Sequence, residues 1–118
     1  MDKEEFIKVI KTEVCDSAIE STIDNLIHPP GRNPSVELLE QSDFYKRLSV
    51  KEKQIVNSII SESVRESIFG FLCVLDGVRK ITDSNRIGRI ELSYLSNSNK
   101  MLLNDSEKEY LHDIFNRT

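Results

Sequence analysis

Proline and glycine are concentrated in one short segment, and this constrains the fold more than any other feature. Residues 27–35 read IHPPGRNPS and hold all three prolines of the chain and one of its four glycines. Proline has no amide hydrogen to donate and disfavours helix in the residue before it, so we expect a stiff loop over 28–35. The absence of proline elsewhere leaves long helices possible on both sides of this loop.

Helical periodicity predicts the elements that flank the loop. Before it, apolar residues recur at spacings of three and four from Phe6 to Leu26, which predicts one long helix over about 2–27. After it, Ser35 has the side chain of a helix N-cap, because its hydroxyl can accept from an amide of the first turn. We therefore expect one or two short helices over 36–48.

A third helical segment is predicted to form the centre of the fold. Ser49 and Glu52 have the spacing of a capping box, in which each side chain accepts from the other residue's amide. The helix is expected over about 50–76, and its stretch 68–75 is apolar on all sides, which is typical of a buried helix. Gly77 then supplies a C-cap.

The C-terminal part of the sequence predicts a hairpin and a last helix. Apolar and polar residues alternate over 89–95 and turn residues follow, which predicts a β-hairpin over about 87–103. A second capping-box sequence, Ser106 to Glu109, predicts a helix over about 106–116. The whole chain is therefore expected to be a single domain of mainly α (α+β) class. We expect a helical bundle around a buried central helix, with one β-hairpin and a C-terminal helix.

Composition excludes several classes of protein. The chain has 118 residues and a net charge of -4, and its two cysteines, Cys15 and Cys73, lack the CxxC spacing of a metal or redox motif. We expect both to be buried thiols. The longest apolar run is far too short to span a membrane, and the acidic N-terminus differs from a secretory signal, which predicts a cytoplasmic protein. Glycine-rich phosphate loops and hydrolase motifs are absent, so we expect no metal and no cofactor, and the sequence favours binding over catalysis.

The negative charge is concentrated in the first helix. Residues 1–27 hold seven acids and three bases, a local net charge equal to that of the whole chain. In an α-helix, Glu13, Asp16, Glu20 and Asp24 would project within about 80° of one another. Such a row is either a solvated helix face or an electrostatic surface for a basic partner.

A protein-binding role follows from the second of these interpretations. In size, acidity and possession of a long acidic helix, the chain resembles immunity proteins that neutralise bacterial nuclease toxins. The resemblance implies a basic protein partner. The net acidity argues against direct contact with nucleic acid, and we expect no contact with a membrane. Phe44 and Tyr45 are candidate aromatic anchors for this contact. The alternative of a structural subunit, with the apolar helix at a homo-oligomer interface, stays open.

A second hypothesis places a ligand pocket or small active site near the proline loop. The loop carries His28, Arg32 and Asn33, and the most apolar stretch ends at Asp76 and Arg79. A buried Asp76 would need a partner, for which Arg79, Arg32 and His28 are candidates. The simpler alternatives are a connecting loop and a helix end at which Asp76 emerges into water.

The C-terminal half also carries a resemblance. The segments SIFGFLCVLDGVR, GRIELSYL, LLND and LHDIF are similar to those of a family of small bacterial proteins. This resemblance implies a shared fold, and it assigns no catalytic residue because fold alone does not define activity.

Overall fold

The described chain is mainly helical, with one two-stranded antiparallel sheet. The computed structural model describes residues 1–79 and 88–118. The elements in chain order are α1 (Lys3–Val9), a π-helical segment (Ile10–Asp16), α2 (Ser17–Ile27), α3 (Val36–Lys46), α4 (Val50–Leu75), β1 (Ser93–Ser96), β2 (Asn99–Leu102) and α5 (Leu111–Arg117). These elements confirm the predicted α+β class. Within the described ranges, no helix has the length and apolar character needed to cross a membrane.

The contacts of the chain group into two compact units, which are described separately below. The first unit comprises Met1–Glu13 and Glu66–Thr118, and the second comprises Val14–Arg65. The expectation of a single domain stays a prediction. Helical backbone runs without interruption from Lys3 to Ile27, as the periodicity predicted, but it includes the π-helical segment.

Local caps begin α3 and α4, which both start in the second unit. Ser35 Oγ accepts from the Leu38 amide at 3.3 Å and caps α3. Ser49 and Glu52 form the predicted capping box, with amide-to-side-chain distances of 2.8 and 3.1 Å. The hydrogen bonds from Ser49 lower the pKa of the Glu52 carboxyl. These two predictions are confirmed.

Two polar contacts fix how α3 packs within the second unit. The buried Ser42 donates its hydroxyl hydrogen to the Leu26 carbonyl at 2.7 Å, which ties α3 to the end of α2. The Tyr45 hydroxyl donates to Asn57 Oδ1 at 2.9 Å, which ties α3 to α4. Because Ser42 bonds to another helix and not to its own backbone, α3 continues through it as one helix.

In the first unit, α4 ends in a Schellman motif. Gly77 has a φ of +76° and donates its amide to the Val74 carbonyl, while the Val78 amide donates to the Cys73 carbonyl, both at 3.1 Å. The predicted C-cap is therefore confirmed. The apolar stretch before it is not buried on all sides, because Leu72 and Cys73 are buried whereas Phe71 is 58% exposed. The expectation that residues 68–75 are buried on all sides was therefore wrong in part.

The hairpin is shorter than predicted. β1 and β2 pair around a two-residue turn in which Asn97 has a φ of +54°. Asn104 closes the base of the hairpin by accepting from the Leu92 amide and donating to the carbonyls of Leu75 and Ile90. Residues 88–92 lie outside the strands, and the predicted start at residue 87 lies outside the described residues.

The predicted start of the last helix was wrong. The helix α5 begins at Leu111, five residues later than the capping-box sequence indicated. Asp105 Oδ1 accepts from the Lys108 amide at 3.2 Å and holds this segment in a turn. The residue at the N-cap position is Tyr110, whose side chain makes no capping hydrogen bond.

Charged side chains connect α1 with the C-terminal segment of the first unit. The buried Lys3 donates from Nζ to the carbonyls of Asp105 and Glu109, both at 2.9 Å. Arg117 bonds to Glu4 at 2.6 Å and to both carboxylate oxygens of Glu109 at 2.8 and 2.9 Å. The hydrogen bonds from Arg117 hold the pKa of Glu109 below its ordinary value.

The positive φ of Gly77 predicts a local stability cost for any side chain. We expect Gly77→Ala to lower the free energy of unfolding by about 1 kcal/mol, measured by urea denaturation, because alanine resists this conformation. A Cβ at Gly77 or at Gly88 would meet nothing within 4 Å, and Gly88 lacks a positive φ. Gly88→Ala is therefore the matched control, and equal effects of the two substitutions would contradict the prediction.

The Arg117 contacts predict a pH-dependent contribution to stability. Because the Glu109 pKa is lowered in the folded state, the stabilisation is present above the ordinary glutamate value of 4.5 and is lost as the pH falls below it. We expect Arg117→Gln to lower the urea concentration at the unfolding midpoint at about pH 7, and to change that midpoint little at about pH 3. Arg89→Gln, which removes an exposed pair with Glu91, should not shift the midpoint at either pH.

Candidate functional site

The four acidic residues predicted to form one row are all exposed. Glu13 lies in the π-helical segment and belongs to the first unit, whereas Asp16, Glu20 and Asp24 belong to the second. A π-helix turns differently from an α-helix, so the predicted common face applies only from Asp16 onward. We define the α2 acidic row as Asp16, the last residue of the π-helical segment, together with Glu20 and Asp24 of α2.

The α2 acidic row has little compensating positive charge. Residues 14–31 contain no lysine and no arginine. Asp16 lies 3.7 Å from Arg65, but both side chains are about half exposed, so this pair contributes little. Steps of four residues place the three carboxylates of the α2 acidic row along one side of the helical backbone, over about 12 Å. This arrangement concentrates negative potential on an accessible surface.

The outer side of α3 carries a second accessible feature. Three apolar residues of α3 are exposed, Val36 at 66%, Leu39 at 44% and Phe44 at 55%. Val36 and Phe44 project about 80° apart, and we define these two as the α3 apolar face. The sequence pattern predicted Phe44 as a contact residue but neither Val36 nor Leu39. The sequence did carry a signal for them. Apolar residues occur on all sides of α3, and a helix buries only the side that faces its neighbours, so some of these residues must be exposed.

The two aromatic anchor candidates have different positions. Neighbouring residues of an α-helix point about 100° apart, so Phe44 and Tyr45 cannot both face the same way. Tyr45 is 4% exposed and bonded to Asn57, and Lys53 Nζ lies 5.7 Å from its ring centre. Tyr45 therefore belongs to the core of the second unit, and only Phe44 is accessible to a partner.

The residues of the hypothetical pocket belong to different units. His28, Arg32 and Asn33 are exposed in the loop of the second unit, where the His28 amide closes α2 by donating to the Asp24 carbonyl. Asp76 and Arg79 lie in the first unit.

Asp76 is buried and satisfied by the start of α5. Its Oδ1 accepts from the Leu111 amide at 3.1 Å, and its Oδ2 accepts from the His112 amide at 2.9 Å and lies 2.7 Å from His112 Nδ1. The expectation that Asp76 emerges into water was wrong. Its side-chain partner is His112, which was not among the three candidates. Arg79 instead lies over Gly70, where an added Cβ would come within 2.6 Å of Nη1.

The surroundings of His112 indicate a structural role. Its Nε2 lies 3.4 Å from Asp113 Oδ1, so both ring nitrogens face carboxylates. The ring stacks on Tyr110 at 5.3 Å and meets the edge of Phe69 at 5.6 Å. Both ring nitrogens are therefore engaged by carboxylates, and both ring faces contact aromatic side chains or their edges. We assign the Asp76–His112 pair to helix capping.

The described residues offer little for metal or thiol chemistry. Within residues 1–79 and 88–118, no three histidine, cysteine or acidic side chains are grouped closely enough to hold a metal ion. Cys15 and Cys73 are buried, as predicted, and form no disulfide. Burial raises the pKa of the Cys73 thiol, which disfavours the reactive thiolate.

Comparison with known proteins gives no match. No protein-family model matches the chain, no curated protein matches its sequence, and no solved structure matches its fold. The resemblance of the C-terminal half to a family of small bacterial proteins stays a prediction, as does the resemblance to immunity proteins. The argument for function therefore depends on the surfaces described above.

Removal of the Asp76 carboxylate should destabilise the protein strongly. We expect Asp76→Ala to lower the free energy of unfolding by about 3 kcal/mol, because two buried amides and the imidazole lose their acceptor. Asp76→Asn should cost less, since it keeps one acceptor oxygen. Asp113→Ala, at an exposed carboxylate, should cost only about 0.5 kcal/mol. Urea denaturation followed by circular dichroism measures all three, and equal effects of Asp76→Ala and Asp113→Ala would contradict the capping role.

Proposed function

We propose that the protein is a cytoplasmic protein-binding inhibitor of the immunity type, which neutralises a basic partner such as a nuclease toxin domain. The observation that carries this proposal is the α2 acidic row, three exposed carboxylates within residues 14–31, which contain no lysine and no arginine. A nuclease cleft is lined with cations that bind phosphates, and a row of carboxylates complements it electrostatically.

The charge pattern of α2 favours a binding role over a merely solvated face. Like charges four residues apart destabilise a helix by about 0.2–0.5 kcal/mol per pair. The sequence places two such pairs in succession, Asp16 with Glu20 and Glu20 with Asp24. A basic partner would turn this repulsion into attraction, and the resulting contact would be fast to form and sensitive to salt.

The α3 apolar face supplies the second part of the proposed contact. Ser42 bonds to the Leu26 carbonyl, so α2 and α3 pack as a pair within the second unit. An exposed aromatic such as Phe44 is the type of side chain that anchors protein interfaces, since its burial removes a large apolar area from water. In this proposal the carboxylates govern the association rate, and Phe44 governs the dissociation rate.

The proposal predicts a specific loss of binding after neutralisation of the row. We expect the triple change Asp16→Asn, Glu20→Gln and Asp24→Asn to lower the association rate by about tenfold at low salt, with little effect at about 0.5 M salt. Phe44→Ala should instead raise the dissociation rate. The measurement is surface plasmon resonance against the basic protein that the wild-type chain captures from a bacterial lysate, assayed in parallel for nuclease activity and its inhibition.

A matched triple variant controls for net charge. Glu5, Glu66 and Glu107 are exposed acids of the first unit, and their change to glutamine alters the net charge by the same amount. This control should bind and inhibit like the wild type. If both triple variants lose binding equally, net charge and not the α2 acidic row is responsible. If the captured protein binds without being inhibited, the immunity role is wrong.

A further inference from the structure

The part of α4 that belongs to the second unit carries two exposed isoleucines on one side. Ile55 is 53% exposed and Ile59 is 59% exposed. A step of four residues makes them neighbours on the helix surface, about 6 Å apart along its axis. The other side of α4 packs within the unit, since Asn57 accepts there from the buried Tyr45. The two isoleucines therefore form a continuous apolar patch that faces away from the core of the unit.

Opposite charges lie at the two ends of this patch. Lys51 precedes Ile55 by one helical turn, Glu62 follows Ile59 by one turn, and both charged side chains are exposed. At 100° per residue, all four side chains project within about 80° of one another. We define the α4 outer stripe as Lys51, Ile55, Ile59 and Glu62. Its order along the helix is positive, apolar, apolar, negative.

The other charged side chains in this part of α4 are engaged elsewhere. Glu52 closes the capping box, Lys53 lies over an aromatic ring of α3, and Arg65 lies 3.7 Å from a carboxylate. Among the described residues, none bonds to the side chain of Lys51 or of Glu62. The stripe therefore presents one accessible charge of each sign, separated by apolar surface.

This order is complementary to the same order reversed. Along the axis, Lys51 lies about 9 Å before the midpoint of the two isoleucines, and Glu62 lies about 7.5 Å after it. A two-fold axis through that midpoint places Ile55 opposite Ile59 of a second copy, and Lys51 opposite Glu62 of the second copy. A parallel arrangement would instead place like charges opposite each other, which is unfavourable.

We propose that the α4 outer stripe is the contact surface of a symmetric homodimer, in which the α4 helices of two copies pack antiparallel. Charge complementarity identifies the occupant as a second copy. The stripe itself supplies the acid that Lys51 requires and the base that Glu62 requires, at the positions that the two-fold axis demands.

The dimer is expected to be weak. Two isoleucines from each copy bury far less apolar area than a standard interface of about 1,600 Å² contains. We therefore expect a dissociation constant of about 100 μM at low salt. The α4 outer stripe shares no residue with the α2 acidic row or the α3 apolar face, so this proposal is independent of the proposed function.

Sedimentation equilibrium of the full chain tests the dimer, over protein concentrations from about 10 μM to about 1 mM. Ile59→Asp should weaken association at least about tenfold, because it places a charge in the apolar contact. The matched control is Val50→Asp, since Val50 is 75% exposed on the same helix and projects about 140° from Ile55. A wild-type chain that stays monomeric at about 1 mM, or equal effects of the two substitutions, would overturn the proposal.

Charge reversal tests the antiparallel arrangement without changing the isoleucines. Lys51→Glu and Glu62→Lys should each weaken the dimer by about tenfold, because each replaces two symmetry-related attractions with repulsions. The double variant restores opposite charges and should associate within about twofold of the wild type. A mixture of the two single variants should form mixed dimers. A double variant that stays as weak as the single ones would overturn the proposal.

Two further outcomes separate this contact from other causes of association. Glu62→Lys makes the net charge of the chain less negative, so general charge repulsion predicts a stronger dimer. A stronger dimer after this substitution would therefore contradict the specific pairing. Phe44→Ala should leave the dimer within about twofold of the wild type. If Phe44→Ala weakens the dimer and Ile59→Asp does not, the α3 apolar face is the dimer contact and the proposal is wrong.

Discussion

The first unit depends on one buried carboxylate. Asp76 lies between the end of α4 at Leu75 and the Schellman glycine, and its oxygens replace the N-cap that α5 lacks. A carboxylate removed from water is costly unless donors surround it, and here two amides and one imidazole do so. Because these donors lie 35 and 36 residues away in sequence, the contact joins distant parts of the chain. Its orientation in turn depends on the backbone conformation that Gly77 allows.

The range of each interaction explains which elements the sequence predicted. Three helix ends depend on hydrogen bonds between groups no more than five positions apart, so the local sequence pattern alone predicted them. These ends are at Ser35, at Ser49 with Glu52, and at Gly77. The capping-box pattern at Ser106 failed because Asp105 holds the same segment in a turn. No pattern near residue 106 indicates that the Asp76 carboxylate, which lies 35 residues before Leu111, will accept from the Leu111 amide. Long-range capping becomes visible only in three dimensions.

The candidate sites show the same limit at single residues. Spacing alone predicted the exposed carboxylates of the α2 acidic row, but it did not predict that Glu13 lies within a π-helical segment. The extra residue per turn of a π-helix leaves no mark in the hydrophobic pattern. Helical geometry required Phe44 and Tyr45 to face different ways. Tyr45 is the buried one, and Asn57 accepts a hydrogen bond from its hydroxyl. The alternation over 89–95 predicted a hairpin but not the start of β1 at Ser93, since the pairing register depends on the turn.

The two parts of the proposed contact depend on forces that respond differently to salt. At the α2 acidic row, exposed carboxylates act across water, and counterions at physiological ionic strength screen such attraction beyond about 8 Å. At the α3 apolar face, the contact would remove apolar area from water, which does not change the net charge. Rising salt should therefore slow the association that the carboxylates govern and change the dissociation that Phe44 governs much less. Ionic strength thus separates the contribution of the carboxylates from that of Phe44 within a single contact.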